Sequence, residues 1–139
     1  MTREGTVGTG ASAQATRAAV EAYVRAWASG DRNALLEAFA EDATWVDPVG
    51  TPPWIGRARI GEFWDGAHAN GAELTPEVQR IVVCGNEAIL LFRMIVRTSG
   101  GGMYVDACDH MIVNEAGKIQ SGRAFWDQGC IGPLTDSAR

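Results

Sequence analysis

The hydrophobic periodicity of this 139-residue chain changes once, near residue 73, and that change constrains the fold more than any other feature. Before it, apolar residues recur at helical spacing. Val20, Tyr23, Val24 and Trp27 form one stripe among alanines and charges, which predicts a helix over residues 13–29. The run SGD at 29–31 ends it, and Asp31 can cap a second helix through Leu35, Leu36 and Phe39. A short apolar strand, Ala43 to Val46, and a Pro/Gly-rich loop lead to a third helix over Arg57 to His68. After residue 73 the period is two. VQRIVVC, EAILLFRMIVRT, MYVDACDHMIV and KIQSGRAFWDQ read as four long strands, separated by the hairpin signals GN, SGGG and NEAG. Helices first and an antiparallel meander after is an α+β order. Long strands with helices on one side predict a sheet curled around three helices as a cone.

The length suits one domain with a real core. Residues 1–12, small and polar, read as a flexible leader, residues 13–130 as the domain and 131–139 as a tail. No apolar run approaches the roughly 18 residues of a membrane span, and the start lacks a signal-peptide core. Three cysteines (Cys84, Cys108, Cys130) are too few for a disulfide framework, so reduced thiols in the cytoplasm are expected. A net charge of −5 with no basic cluster argues against nucleic acid. Two histidines and no zinc-type cysteine spacing argue against a metal. SGGG at 99–102 precedes a strand rather than a helix and is no phosphate loop.

The third long strand carries an anomaly. Side chains alternate across a sheet, so Val105, Ala107, Asp109, Met111 and Val113 share one face. That face is apolar except for one carboxyl group. If it lines the interior, Asp109 is desolvated, its pKa rises, and in the neutral form it is a hydrogen-bond donor. Pairing with Arg93 or Arg123 from a neighbouring strand is the competing explanation.

Two further polar groups stand on apolar ground. Tyr23 lies on the inner stripe of the first helix, where an aromatic is ordinarily core. Asp47 ends the short strand and is followed by Pro48, which turn chemistry alone could explain. Taken together, an ionised carboxylate, a neutral one and a phenol suit proton abstraction beside a carbonyl. The base takes the proton and the two donors hold the resulting enolate oxygen. Five tryptophans suit a site for a flat apolar ligand.

These residues resemble the bacterial Δ5-3-ketosteroid isomerases of the NTF2-like, SnoaL-like superfamily over residues of roughly 16 to 128. FAEDATWVDPVGTPPWIGRARIGEFW is similar to the stretch around that family's general base, VEAYVRAWASGD to the helix with its tyrosine, and DACDHMIVNEAGKIQSGRAFW to the strands with its second aspartate. The combination of Tyr23, Asp47 before Pro48, and Asp109 before His110 is the specific part. The resemblance implies an NTF2-like cone with an apolar pocket, no cofactor and a homodimer through the outer sheet face. It makes Asp47 the base that moves a proton from carbon 4 to carbon 6 of a 3-oxo-Δ5-steroid. Tyr23 and protonated Asp109 become the donors to the 3-keto oxygen, a tuning already established for that family. Trp126 matches a position whose indole can bond the base, and Trp64, Phe39, Phe92 and Met111 join it as expected substrate contacts.

Phe39 and Trp64 are also a departure. They occupy positions where some members carry tyrosines that support the oxyanion tyrosine, and neither can extend a phenol network. Two other readings fit the same fold: a polyketide cyclase-like enzyme, and a non-catalytic binder of apolar ligands. The pair Tyr23 and Asp109 discriminates, because neither alternative requires it.

Overall fold

The computed structural model describes residues 10–135. Helices α1 (Ala13–Ser29) and α2 (Arg32–Ala38) are followed by strands β1 (Phe39–Val46) and β2 (Trp54–Ile55) and then by helix α3 (Arg57–Ala67). Strands β3 (Glu73–Cys84), β4 (Glu87–Thr98), β5 (Gly101–Val113), β6 (Ile119–Phe125) and β7 (Ile131–Pro133) follow. Six strands run in the order β2-β1-β6-β5-β4-β3, with β7 added against β5. All neighbours are antiparallel except β1 and β6, so the sheet is mixed, and it is curved without closing into a barrel. Among the described residues no helix is long and apolar enough to cross a membrane.

Local chemistry explains the helix boundaries. Ser12 Oγ caps α1 by accepting from the Ala15 amide, and Gly30 stops it in the left-handed region at φ 68°, which glycine adopts without a Cβ penalty. Asp31 caps α2, accepting from the Ala34 amide. The apolar stripe of α1 packs into the concave sheet, burying Val20, Tyr23 and Trp27. Thr16 ties the helix start to the β3–β4 hairpin, donating to the Gly85 carbonyl at 2.9 Å.

Several boundaries differ from the sequence reading, three of them with consequences for the fold. Phe39 opens β1 instead of closing α2, because its side chain packs on Tyr23 and Trp45 at ring separations of 6.1 and 5.8 Å. Of the expected leader, residues 1–9 lie outside the described residues, while Ala11 donates its amide to the Val113 carbonyl at 3.2 Å. Of the expected tail, Ile131–Pro133 is a sheet strand registered on Met103–Val105, and 136–139 lie outside the described residues.

One level of the sheet forms a floor. Leu90, Asp109 and Ala124 pair across β4, β5 and β6 and are all buried. On one side of it Ala88, Met111 and Val113 are sealed in the core; on the other the cone opens.

Candidate active site

The open end of the cone is a cavity of about 250 Å³. Its walls are apolar: Phe63 from α3, Leu74 from β3, Phe92 and Met94 from β4, Val105 and Ala107 from β5. Five side chains with nitrogen or oxygen atoms line it, namely Tyr23, Trp27, Asp47, Asp109 and Trp126.

Asp109 occupies the floor and is 1% exposed. The Tyr23 hydroxyl donates to its Oδ2 at 3.3 Å, while Oδ1 is buried with no hydrogen-bond partner. Neither arginine reaches it. Arg93 pairs with Asp106 through bonds of 2.7 and 3.0 Å on the other face of the sheet, and Arg123 lies over the Phe125 ring. With no cation beside it, burial drives the Asp109 carboxyl well above the usual carboxylate range, and the nearby negative charge of Asp47 adds to the effect. The Tyr23 bond opposes the rise without reversing it. Tyr23 itself is pushed well above the usual phenol value, first by burial and then by the two carboxyl groups. Burial on the floor therefore disfavours the charged form of both the acid and the phenol.

Asp47 is placed differently. It follows directly on β1, its peptide bond to Pro48 is cis, and it is only half-buried. Both of its oxygens accept from indoles: Oδ1 from Trp126 Nε1 at 2.7 Å and Oδ2 from Trp45 Nε1 at 3.2 Å. Burial raises its pKa, and the two indoles oppose that rise without reversing it. An indole can only donate, so both bonds favour the ionised carboxylate. The two aspartates of one cavity thus differ in surroundings: burial raises both, Asp109 strongly with one phenol against it, Asp47 with two indole donors opposing the rise.

The pair of indoles depends on the β1–β6 junction. Trp45 pairs with Gly122 across the two parallel strands, and a Cβ at Gly122 would lie 2.3 Å from Trp45 Cζ3. Glycine is required there because the indole lies flat over the backbone. The sequence reading missed Trp45 as a partner of the base. The signal was present: residues two apart share a strand face, so a tryptophan at 45 can reach a carboxylate at 47.

Phe92 and Trp126 stand on the cavity wall as expected. Phe39, Trp64 and Met111 do not. Met111 lies below the floor between Ala88 and Gly122 and is fully buried. Phe39 packs edge-on behind Tyr23, and Trp64 stacks behind Trp27 at 4.4 Å, leaving Trp27 to face the cavity in its place. All three act on the site through packing.

Comparison with known proteins agrees with this architecture. A family model described as SnoaL-like domain matches residues 20–122. A steroid Delta-isomerase of Nocardioides simplex is 37% identical over 113 residues, 81% of this chain and 90% of that protein. Among solved structures, the epoxide hydrolase/cyclase-like enzyme SalBIII, with a role in pyran ring formation in the polyether salinomycin, superposes with a TM-score of 0.77 at 26% identity. The match covers 87% of this chain and 97% of SalBIII. The Mycobacterium tuberculosis protein RV0760c, in complex with estradiol-17beta-hemisuccinate, superposes with a TM-score of 0.78 at 22% identity, over 85% of this chain and 98% of that one. The α+β cone, the length of the match and the relative's identity place this chain in the steroid Δ-isomerase family of SnoaL-like, NTF2-like proteins.

Proposed function

We propose that the protein converts 3-oxo-Δ5-steroids to 3-oxo-Δ4-steroids by intramolecular proton transfer. The observation that carries this reading is the contrast between the two aspartates: Asp47 accepts from two indoles, whereas Asp109 is buried on the cavity floor beside Tyr23 with one oxygen unpartnered. The substrate's 3-keto oxygen accepts from the Tyr23 hydroxyl and from the Asp109 acid. Asp47 removes a proton from carbon 4, and the electron pair moves onto the oxygen as a dienolate. Asp47 then returns the same proton to carbon 6, which leaves the double bond conjugated with the ketone and the base ionised again. No cofactor enters the balance. Fixed donors facing the developing oxyanion in an apolar site supply the main stabilisation.

The cavity volume lies just below the roughly 300–1,000 Å³ usual for small-molecule sites. It takes the keto end of a steroid, with the distal rings at the apolar mouth. That the same fold accommodates an estradiol derivative in RV0760c is compatible with this pose. A cyclase-like reaction would need an acid but no paired phenol.

The decisive experiment is an ultraviolet assay for conjugated enone formed from androst-5-ene-3,17-dione. Turnover by the native protein, lost in Asp47→Asn with steroid binding retained, is the expected result. Turnover retained in Asp47→Asn removes Asp47 from the mechanism. The reading includes a cytoplasmic homodimer joined through the outer sheet face. There Leu91, Cys108 and Phe125 line up across β4, β5 and β6, with Phe125 42% exposed. Sedimentation as a monomer at micromolar concentration would count against that assembly.

A further inference from the structure

Trp27 carries a buried polar atom for which neither the packing nor the proton transfer has yet given a use. Its side chain is 3% exposed and faces the cavity, and its Nε1 has no hydrogen-bond partner. Leaving an indole N–H unpaired in the interior is costly, and natural cores seldom do so without a reason. Other rings also pack against it. Trp64 packs behind it at 4.4 Å, His68 stacks on it at 5.6 Å with an interplanar angle of 7°, and Phe63 meets it edge-on. Trp27 lies one helical turn beyond Tyr23, and the two rings meet edge-to-face at 6.3 Å.

The Tyr23 hydroxyl is surrounded by few polar groups. Asp109 approaches from β5 and Asp47 from the end of β1, both disfavouring the phenolate. Among the described residues the Trp27 indole is the one group that favours it, although its approach falls short of a hydrogen bond. Phe39 and Trp64 offer Tyr23 no donor. Phe39 has none, and Trp64 sits behind Trp27.

We propose that Trp27 is a positioning residue for the oxyanion site, its otherwise unpartnered indole N–H closing onto the Tyr23 hydroxyl oxygen when a bound enolate draws the Tyr23 proton. The proton of Tyr23 then lies between two oxygens, and negative charge builds on the phenol. A donor waiting at the phenol oxygen stabilises that charge and so strengthens the Tyr23 bond to the substrate. The inference rests on the isomerase reading, but it can be tested without turnover.

The probe is 2-naphthol, a flat phenol whose oxygen takes the place of the enolate oxygen. Its bound ionised fraction is read from its absorption and fluorescence. Two variants are compared with the native protein: Trp27→Phe, and replacement of Trp27 by β-(3-benzothienyl)alanine, which keeps the ring's shape and lacks the N–H. The expected result in both is a fall in the ionised fraction of bound naphthol. With the dione as substrate, kcat falls on the order of tenfold while KM stays within about threefold. An ionised fraction and a kcat within twofold of native in the benzothienyl variant would overturn the proposal. So would weaker binding with an unchanged ionised fraction, because that is a packing effect, and so would failure of the native protein to bind naphthol at millimolar concentration. A native protein that never isomerises the dione, yet shows the shift in bound naphthol, would sink the isomerase reading and leave the role of Trp27 standing.

Discussion

Replacing Asp109 by asparagine separates a neutral acid from an ionised one through stability alone. In the unfolded chain this carboxyl titrates near its ordinary value, about 3.9. In the fold it is driven well above that, by burial first and by Asp47 second. A group whose folded pKa is raised contributes its stabilisation fully below the unfolded pKa and loses it as pH rises through the folded one. Above about pH 4 the unfolded state releases a proton that the native state keeps, so stability falls by up to about 1.4 kcal/mol per pH unit. Against a total of roughly 5–15 kcal/mol for a domain, that slope is large. Asp109→Asn has nearly the same shape, can still accept from Tyr23, and has no proton to lose. Urea unfolding of both proteins at pH 4.5 and 5.5 should show the variant gaining slightly over 1 kcal/mol on the native protein across that interval. Titration of the other carboxylates largely cancels in the difference. Parallel stability curves would mean that Asp109 is ionised in the fold, and the neutral-donor mechanism would fall with it. A kinetic arm follows: asparagine keeps a donor at the substrate oxygen, so it should cost less turnover than Asp109→Ala.

The remaining expectations concern the donors and the indole clamp. Tyr23→Phe removes one direct oxyanion donor and should lower kcat on the order of 10²–10³-fold; a loss under tenfold would mean the oxygen is held elsewhere. Trp126→Phe removes a bond that favours ionised Asp47, so the acid limb of the kcat/KM profile should move to higher pH. Trp45→Phe should move it the same way by less, since its bond is 3.2 Å against 2.7 Å, and coincident profiles would detach the indoles from the base. Gly122→Ala places a methyl 2.3 Å from the Trp45 ring, which has Tyr23 and Phe39 against its other sides. Overpacking of about 1–3 kcal/mol should lower Tm by roughly 3–10 °C, and an unchanged Tm would show that the ring moves freely.

The parts of the fold governed by short-range pattern were legible in the sequence. The span of α1, with the αL glycine that ends it, and the run of β4 follow from periodicity and punctuation alone. Asp109 was legible for the same reason: a strict period of two leaves no doubt which face a mid-strand residue shares. Boundaries set by tertiary packing were not. Phe39 continues a helical stripe in sequence, yet the rings of Tyr23 and Trp45 draw it into β1. The seal below the floor, which removes Met111 from the cavity, depends on how far α1 descends into the cone, and no local pattern encodes that depth. Trp64 and Trp27 share the same uncertainty. Both lie on inward stripes, and only the crossing of α1 and α3 decides which ring fronts the other.

The parallel seam between β1 and β6 has a consequence for biosynthesis. Trp45 and Asp47 emerge early from the ribosome, whereas Trp126 and the strand that seats Trp45 come from the last quarter of the chain. A nascent polypeptide halted before β6 would carry the base without its clamp, and the acid on β5 without the neighbouring strand that shuts it from water. Contacts of such high sequence separation form slowly. On the proposed mechanism, competence for chemistry therefore arrives with the final strands.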